Sequence, residues 1–201
     1  MESLKINGVI RAETGKKGTK ADRNSQSIPC VLYGGKENVH FTTTWADVRH
    51  LIYTADFRTA EITTDGKTYN SVIKDVQFHP VTEAILHIDF LLLVPGTPLK
   101  LNLPLRLKGS SAGIKAGGKL LQNIRKIKVK LLPENLVDHV MLDISNLELG
   151  QSARVRDIIP TPGVEITMSP SIPVVTIEIP RALRAAAAAE AKATATPAKK
   201  K

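Results

Sequence analysis

The chain has 201 residues, 42% of them hydrophobic, a single cysteine (Cys30) and a formal charge of +9. One cysteine excludes an internal disulfide and a thiolate metal site, and the longest unbroken apolar run, residues 90–94, is far too short to span a bilayer. The opening Met1-Glu2-Ser3-Leu4-Lys5 has neither region of a secretory signal, so the expectation is a cytosolic protein whose leading partner is a polyanion, nucleic acid before a membrane surface.

The charge is unevenly placed. Residues 1–89 hold 11 basic and 11 acidic side chains, whereas residues 90–133 hold nine basic and no acidic ones. All eight aromatic residues lie within the first 90 positions. One continuous core would not change its chemistry in this way. The chain is therefore read as two domains, 1–93 and 94–180, joined at Val94-Pro95-Gly96-Thr97-Pro98, with a tail over 181–201.

Residues 3–11 alternate loosely, with Leu4, Ile6 and Ile10 on one face, and predict a strand. Residues 14–27 are too polar to be buried and read as a loop or a poorly covered helix. Pro29 to Tyr33 predicts a buried strand stopped by Gly34-Gly35, and residues 39–42 another. Thr44-Trp45-Ala46-Asp47 has the form of a capping box, and Trp45, Val48, Leu51 and Ile52 follow at helical spacing. The two-residue turn Asp65-Gly66 joins strands 59–64 and 67–78, because a type I′ turn needs positive φ at both central positions. His79-Pro80 breaks the pairing, and residues 84–94 close the domain as a last strand, giving a small closed β-barrel or half-barrel with one or two helices.

In the second domain Leu99, Leu101, Leu103, Leu105 and Leu107 alternate with polar residues, and Pro104 suggests an edge strand. Further strands are expected at 127–132, 140–144, 164–168 and 174–179, with no helix before Pro180, so this half is read as an all-β sandwich or barrel. Ten of the last twenty residues are alanine and the last three are lysine, which reads as a solvated or helical tail.

No nucleotide loop, nucleophile elbow or zinc pattern is present. Gly113-Ile114-Lys115-Ala116-Gly117-Gly118-Lys119 resembles a phosphate-cradling loop but lacks its ending and following helix. Cys30 reads as a buried structural thiol. His87 and Asp89, spaced i, i+2, share a strand face opposite Leu86, Ile88 and Phe90. A catalytic half-triad would need a nucleophile that no motif supplies; an idle surface pair and an RNA-recognition surface both stay open. The segment Arg11, Lys16, Lys17, Lys20, Arg23 suits draping over phosphates, or is a solvated basic loop.

These residues carry a family resemblance. Gly15-Lys16 with Lys20 and Arg23, the run Ile28 to Gly35, Asp75-Val76-Gln77-Phe78-His79-Pro80 and His87-Ile88-Asp89-Phe90 resemble the general stress protein CTC family, bacterial large-subunit ribosomal protein twenty-five, in its long two-domain form. Ala116-Gly117-Gly118-x-Leu120, Val129 with Leu132-Pro133, Asp143-Ile144-Ser145-x-Leu147-x-Leu149-Gly150 and Val155-Arg156-Asp157-Ile158 resemble its C-terminal β domain. The resemblance implies a non-enzymatic, ribosome-associated cytoplasmic protein whose N-terminal barrel binds the minor groove of 5S rRNA at loop E, in the central protuberance of the large subunit. Its partners would be 5S rRNA, neighbouring large-subunit proteins and other rRNA, with no cofactor, membrane or small-molecule substrate. By the same resemblance Arg11, Lys16, Lys20 and Arg23 would neutralise phosphates, and Tyr33, Gln77, His79, His87 and Asp89 would meet ribose and base edges.

One departure stands out. Where the family commonly carries a Ser-Arg-Arg-Leu-Arg-like run, this chain has Thr19-Lys20-Ala21-Asp22-Arg23, losing an arginine and gaining an acid. Charge alone would place the RNA site at 90–133, whereas the resemblance places it in the neutral half, and the latter is preferred for specificity. A protein-binding β adaptor and a His–Asp hydrolase are the alternatives from other classes.

Overall fold

The computed structural model describes residues 3–35 and 37–181. They gather into two compact units. The first takes the chain to Pro104 with Lys128–His139 and Thr161–Thr167; the second takes Leu105–Ile127, Val140–Pro160 and the chain from Met168. The described chain is mainly β, with an N-terminal barrel and C-terminal β structure, as the sequence leads one to expect.

In chain order the N-terminal elements are β1 (Ser3–Asn7), β2 (Val9–Ile10), α1 (Lys16–Asn24), β3 (Ser27–Tyr33), β4 (Val39–Thr44), α2 (Trp45–Ile52), β5 (Thr59–Thr64), β6 (Lys67–Phe78) and β7 (Ile85–Leu92). The strands form one sheet in the order β1-β5-β6-β7-β3-β4-β2. Its two outermost strands, β1 and β2, are separated in the chain by Gly8 alone, so the edges have to meet and the sheet rolls into a barrel. Residues 3–11 are thus two strands rather than the single one that their alternation suggests. Only glycine fits at the crossing: a Cβ on Gly8 would stand 2.6 Å from Phe41 Cδ2 and 2.7 Å from Thr64 Cγ2.

Inside the barrel Cys30, Leu32, Phe41, Ile62, Ile88 and Phe90 are buried, and the Phe41 and Phe90 rings pack at 5.7 Å between centroids. Ile85 is also buried and Leu86 only half-buried, so the expected inward trio of Leu86, Ile88 and Phe90 is corrected at its first member. The register of β6 on β7 shifts between Gln77 and Phe78, which breaks simple alternation at that end. Asp65 (φ 45°) and Gly66 (φ 77°) make the hairpin turn as predicted. The capping box does not form, since the Thr44 hydroxyl donates to the Asp47 carboxylate at 2.8 Å instead of accepting a backbone N–H. In α2, Val48 and Leu51 are the buried stripe, while Trp45 is 51% exposed. It lies one helical turn before Arg49, whose guanidinium sits 5.7 Å from its ring.

The later elements are β8 (Leu99–Lys108), α3 (Ala112–Lys115), β9 (Lys119–Gln122), β10 (Lys126–Leu131), β11 (Val140–Asp143), β12 (Ser152–Arg154), β13 (Val164–Ile166) and β14 (Pro173–Glu178). In the first unit residues 129–131 of β10 pair with β13. In the second, residues 105–108 of β8 run parallel to β11, and β14 lies between β12 and β9. Leu105 also donates its N–H to the Arg125 carbonyl at 2.9 Å, so β8 is bonded on both sides there and is not the edge strand that Pro104 suggests. The proline stands one residue before pairing with β11 begins, where its missing N–H breaks no bond to that strand.

A single helical turn, α3, occupies a stretch expected to hold no helix. Ser111 caps it by accepting the Ile114 N–H at 3.0 Å. The neighbouring glycines serve packing: a Cβ on Gly118 would lie 2.6 Å from Ile177 Cγ2, and one on Gly113 2.7 Å from the Glu148 carbonyl carbon. Beyond Arg181 the expected tail lies outside the described residues.

Candidate nucleic-acid interface

The site is built by register. In β7, Ile88 and Phe90 face the core, so His87 and Asp89 face outward. Pairing β3 parallel to β7 sets Val31 beside Asp89 and Tyr33 beside Leu91, on the same outer side. On β6, Ile73 pairs with Phe90 and Asp75 with Asp89, leaving Lys74 as an extra residue. This bulge moves the strand by one position. Without it Lys74 would face Asp89 and the outward set would be inverted; with it, Asp75 and Gln77 look outward beside Asp89 and His87, and Val76 packs toward the core. On the far side of β3, His40 of β4 pairs with Val31 and extends the same row.

Tyr33, Gln77, His87 and Asp89 therefore share one outer face, with Asp75 and His40 added to it. The His87 Nδ1–H donates to Asp89 Oδ1 at 2.7 Å, with the two side chains 26% and 32% exposed. In the neutral ring that leaves Nε2 as an acceptor. Burial, then Asp89 and Asp75, push the Tyr33 phenol above its ordinary pKa, which agrees with both carboxylates facing it.

His79 plays a different part. Its Nδ1 accepts the backbone N–H groups of Val81 (3.3 Å) and Thr82 (3.2 Å), and the His79 backbone N–H donates to the Ala84 carbonyl at 2.8 Å. It shapes the turn between β6 and β7 and keeps its Nε2 as the donor, the tautomer opposite to that of His87.

The basic segment resolves into α1, which begins after Gly15 (φ 143°) and buries none of its residues. It packs beside β3. Lys16 and Lys20, with Lys17, are exposed on it. Arg23 is exposed too, but its Nε and Nη2 donate to the Leu86 carbonyl at 3.2 and 3.1 Å, tying the helix end to β7. Arg11 is drawn inward: Nε meets Asp22 Oδ2 at 2.8 Å, Nη2 donates to Thr19 at 3.1 Å, and the side chain is only 9% exposed. The acid gained in this chain's departure from the family run is the one that holds Arg11.

Sequence reasoning missed Asp75, His40 and Trp45. Asp75 was legible as part of a motif but not as outward-facing, because the bulge at Lys74 leaves no mark in the alternation. Cys30 lies buried, and burial pushes its thiol strongly upward, so it is no nucleophile. Among the described residues no His, Cys, Asp and Glu cluster has metal-binding geometry, and no helix is long and apolar enough to cross a membrane.

The ribosomal L25p family model matches residues 6–90, and that for the C-terminal domain of ribosomal protein TL5 matches residues 98–181. The chain is 43% identical over 192 residues to the large ribosomal subunit protein bL25 of Cytophaga hutchinsonii, covering 96% of this chain and 100% of the relative. Its counterparts in Phocaeicola vulgatus (36% over 199 residues, 96% and 100% covered) and Amoebophilus asiaticus (40% over 188 residues, 94% and 95% covered) are similar to it as well. The matched family models and relatives are those of ribosomal proteins, which makes the chain a structural ribosomal protein and not an enzyme. The chain belongs to the ribosomal L25p family.

Proposed function

We propose that this chain, a large-subunit ribosomal protein working on the cytoplasmic ribosome, binds 5S rRNA at the minor-groove face of loop E in the central protuberance. The observation that carries the reading is the bulge at Lys74, which brings Asp75 and Gln77 onto the outward face that His87, Asp89 and Tyr33 share. An RNA minor groove is wide and shallow and presents ribose 2′-hydroxyls and base edges, so a flat sheet face can reach them. Carboxylates repel phosphates but accept from the exocyclic amino groups of bases. Asp89 and Asp75 therefore suit base edges, and the His87 Nε2 suits a 2′-hydroxyl. His79 holds the adjoining turn and offers its Nε2–H.

Phosphates fall to α1. Lys16 and Lys20 meet them directly, with Arg23 at the helix end; Arg11, held by Asp22, contributes by fixing the helix against the barrel. On this reading residues 1–93 give specificity. Residues 94–180, with the basic run of 90–133, add sequence-blind contacts to other rRNA and neighbouring proteins.

The test is titration of 5S rRNA with the full chain and with fragments 1–93 and 94–201 over a salt series. Full chain and the N-terminal fragment should bind with similar loop E protection. Tight binding by the C-terminal fragment alone, or indifference of the full chain to 5S rRNA in dilute buffer, overturns the reading.

A further inference from the structure

Beside the recognition face, the barrel carries a second feature that the reading above touches only at Arg23. A groove of about 440 Å³ is lined by Arg23, Gln26, Trp45, Tyr53, Glu83 and Leu86 among others. Trp45 and Tyr53 remain 51% and 60% exposed, although the rest of α2 buries its apolar stripe normally. Isolated exposed aromatics are ordinary, but two lining one concavity are not. Trp45, Arg49 and Tyr53 recur every four residues along and just past α2, one stripe beside the buried one. Gln26 (φ 61°) and Glu83 (φ 54°) also line the groove; among described non-glycine residues the only other positive φ is that of Asp65 in its hairpin turn. Side chains of this kind rarely adopt that conformation, and such strain gathers where ligands bind.

The charge around the groove selects the ligand. Among the lining residues Arg23 is the cation and Glu83 the acid, and Arg23 bonds a carbonyl rather than a carboxylate; Arg49, outside the lining, lies over Trp45 and adds a second cation at the groove's edge. Stacking aromatics flanked by arginines are what an unpaired nucleotide needs: any base has a π face, and the phosphate follows the cations. We infer that the groove takes one unpaired nucleotide of RNA, its base stacked against Trp45 and Tyr53 and its phosphate drawn by Arg23 and Arg49. The site is distinct from the sheet face and takes an extruded base, where that face takes a helical groove.

Trp45 is the only tryptophan in the chain, so its emission reports this groove alone. Full-length protein should show saturable quenching with an adenosine hexanucleotide in dilute buffer, and none with heparin, a polyanion without bases. Tyr53→Ala should weaken apparent affinity by roughly 5- to 150-fold, the loss of one stacking partner, whereas Tyr53→Phe keeps the ring and should bind like the parent. Arg49→Ala, an exposed change, should weaken binding and flatten its salt dependence; it serves where Tyr53→Ala compromises folding. Absent quenching, equal quenching by heparin, or affinity unmoved by both alanine variants overturns the inference and leaves the groove to a protein partner. Intact hexanucleotide quenching in a protein that ignores 5S rRNA would break the earlier reading and spare this one.

Discussion

The two faces of β3, β6 and β7 are built from alternate residues of the same strands, yet they obey opposite rules. Inward, Cys30, Leu32, Ile88 and Phe90 are sealed from water. Outward, Tyr33, Gln77, His87 and Asp89 stand half-buried or exposed, and Asp75 is paired directly across from Asp89. Like charges facing each other across strands lower stability, so that pair works against the fold that carries it. His87 relieves part of the cost by donating to Asp89. The contrast teaches that stability is concentrated on the inner face, while the outer one tolerates a stability cost in return for a fixed set of donors and acceptors. Substitutions one residue apart should therefore change different observables.

The largest effect belongs to the inner face. Phe90→Ala removes a fully buried ring packed on Phe41 and should cost about 3–5 kcal/mol of unfolding free energy, read from denaturant midpoints. Gly8→Ala comes next. The added methyl must displace Phe41 and Thr64 at the barrel seam, which should destabilise by about 1–3 kcal/mol. A neutral Gly8→Ala would mean that the seam is looser than its 2.6 Å approach implies.

Local chemistry made part of this legible in advance. Asp65-Gly66 could be read because a two-residue turn needs two positive φ angles, and Val48 and Leu51 because one helical stripe has to cover the barrel. The pairing of His87 with Asp89 on an outward face followed from period two alone. Three things could not be read. The seam at Gly8 is a tertiary event, for residues 3–11 alternate as well in one strand as in two. The bulge at Lys74 shows only in the pairing of β6 with β7 and leaves no mark in the alternation of its own residues. Trp45 has the spacing of a core residue, and only the placement of α2 on the barrel decides that it faces water.

On the outer face the prediction is separation of binding from stability. His87→Ala or Asp89→Ala should each weaken 5S rRNA affinity by about 1–3 kcal/mol, measured by filter binding. The unfolding midpoint should hold or rise slightly for Asp89→Ala, which removes the facing carboxylates, and fall only slightly for His87→Ala. A matching loss of stability would show that the pair is a structural element and erase the distinction between faces. Lys20→Ala should do less. It sits exposed on α1, so its removal should lower affinity for all RNAs alike and reduce the slope of log K against log salt by about one phosphate's share.

The smallest effect tests the geometry of the outer face without RNA. Tyr33 is held protonated above its ordinary pKa of 10.0 first by burial, then by Asp89 and Asp75. A folded-state pKa raised above the unfolded one means that the unfolded chain loses this proton first as pH rises. The associated stability is complete below about pH 10, the unfolded phenol's value, and declines as pH climbs from there through the folded value. Tyr33→Phe should therefore lose less stability than the parent between pH 9.5 and 11.5, a range chosen as roughly bracketing that window. Asp89→Asn should move the Tyr33 phenolate absorbance back toward its ordinary titration, and Asp75→Asn less so, because Asp89 is the stronger of the two influences. An Asp75→Asn variant that left the titration untouched would place Asp75 away from Tyr33. The bulge would then no longer account for the outward set, and the two faces would differ by sequence alone and not by register.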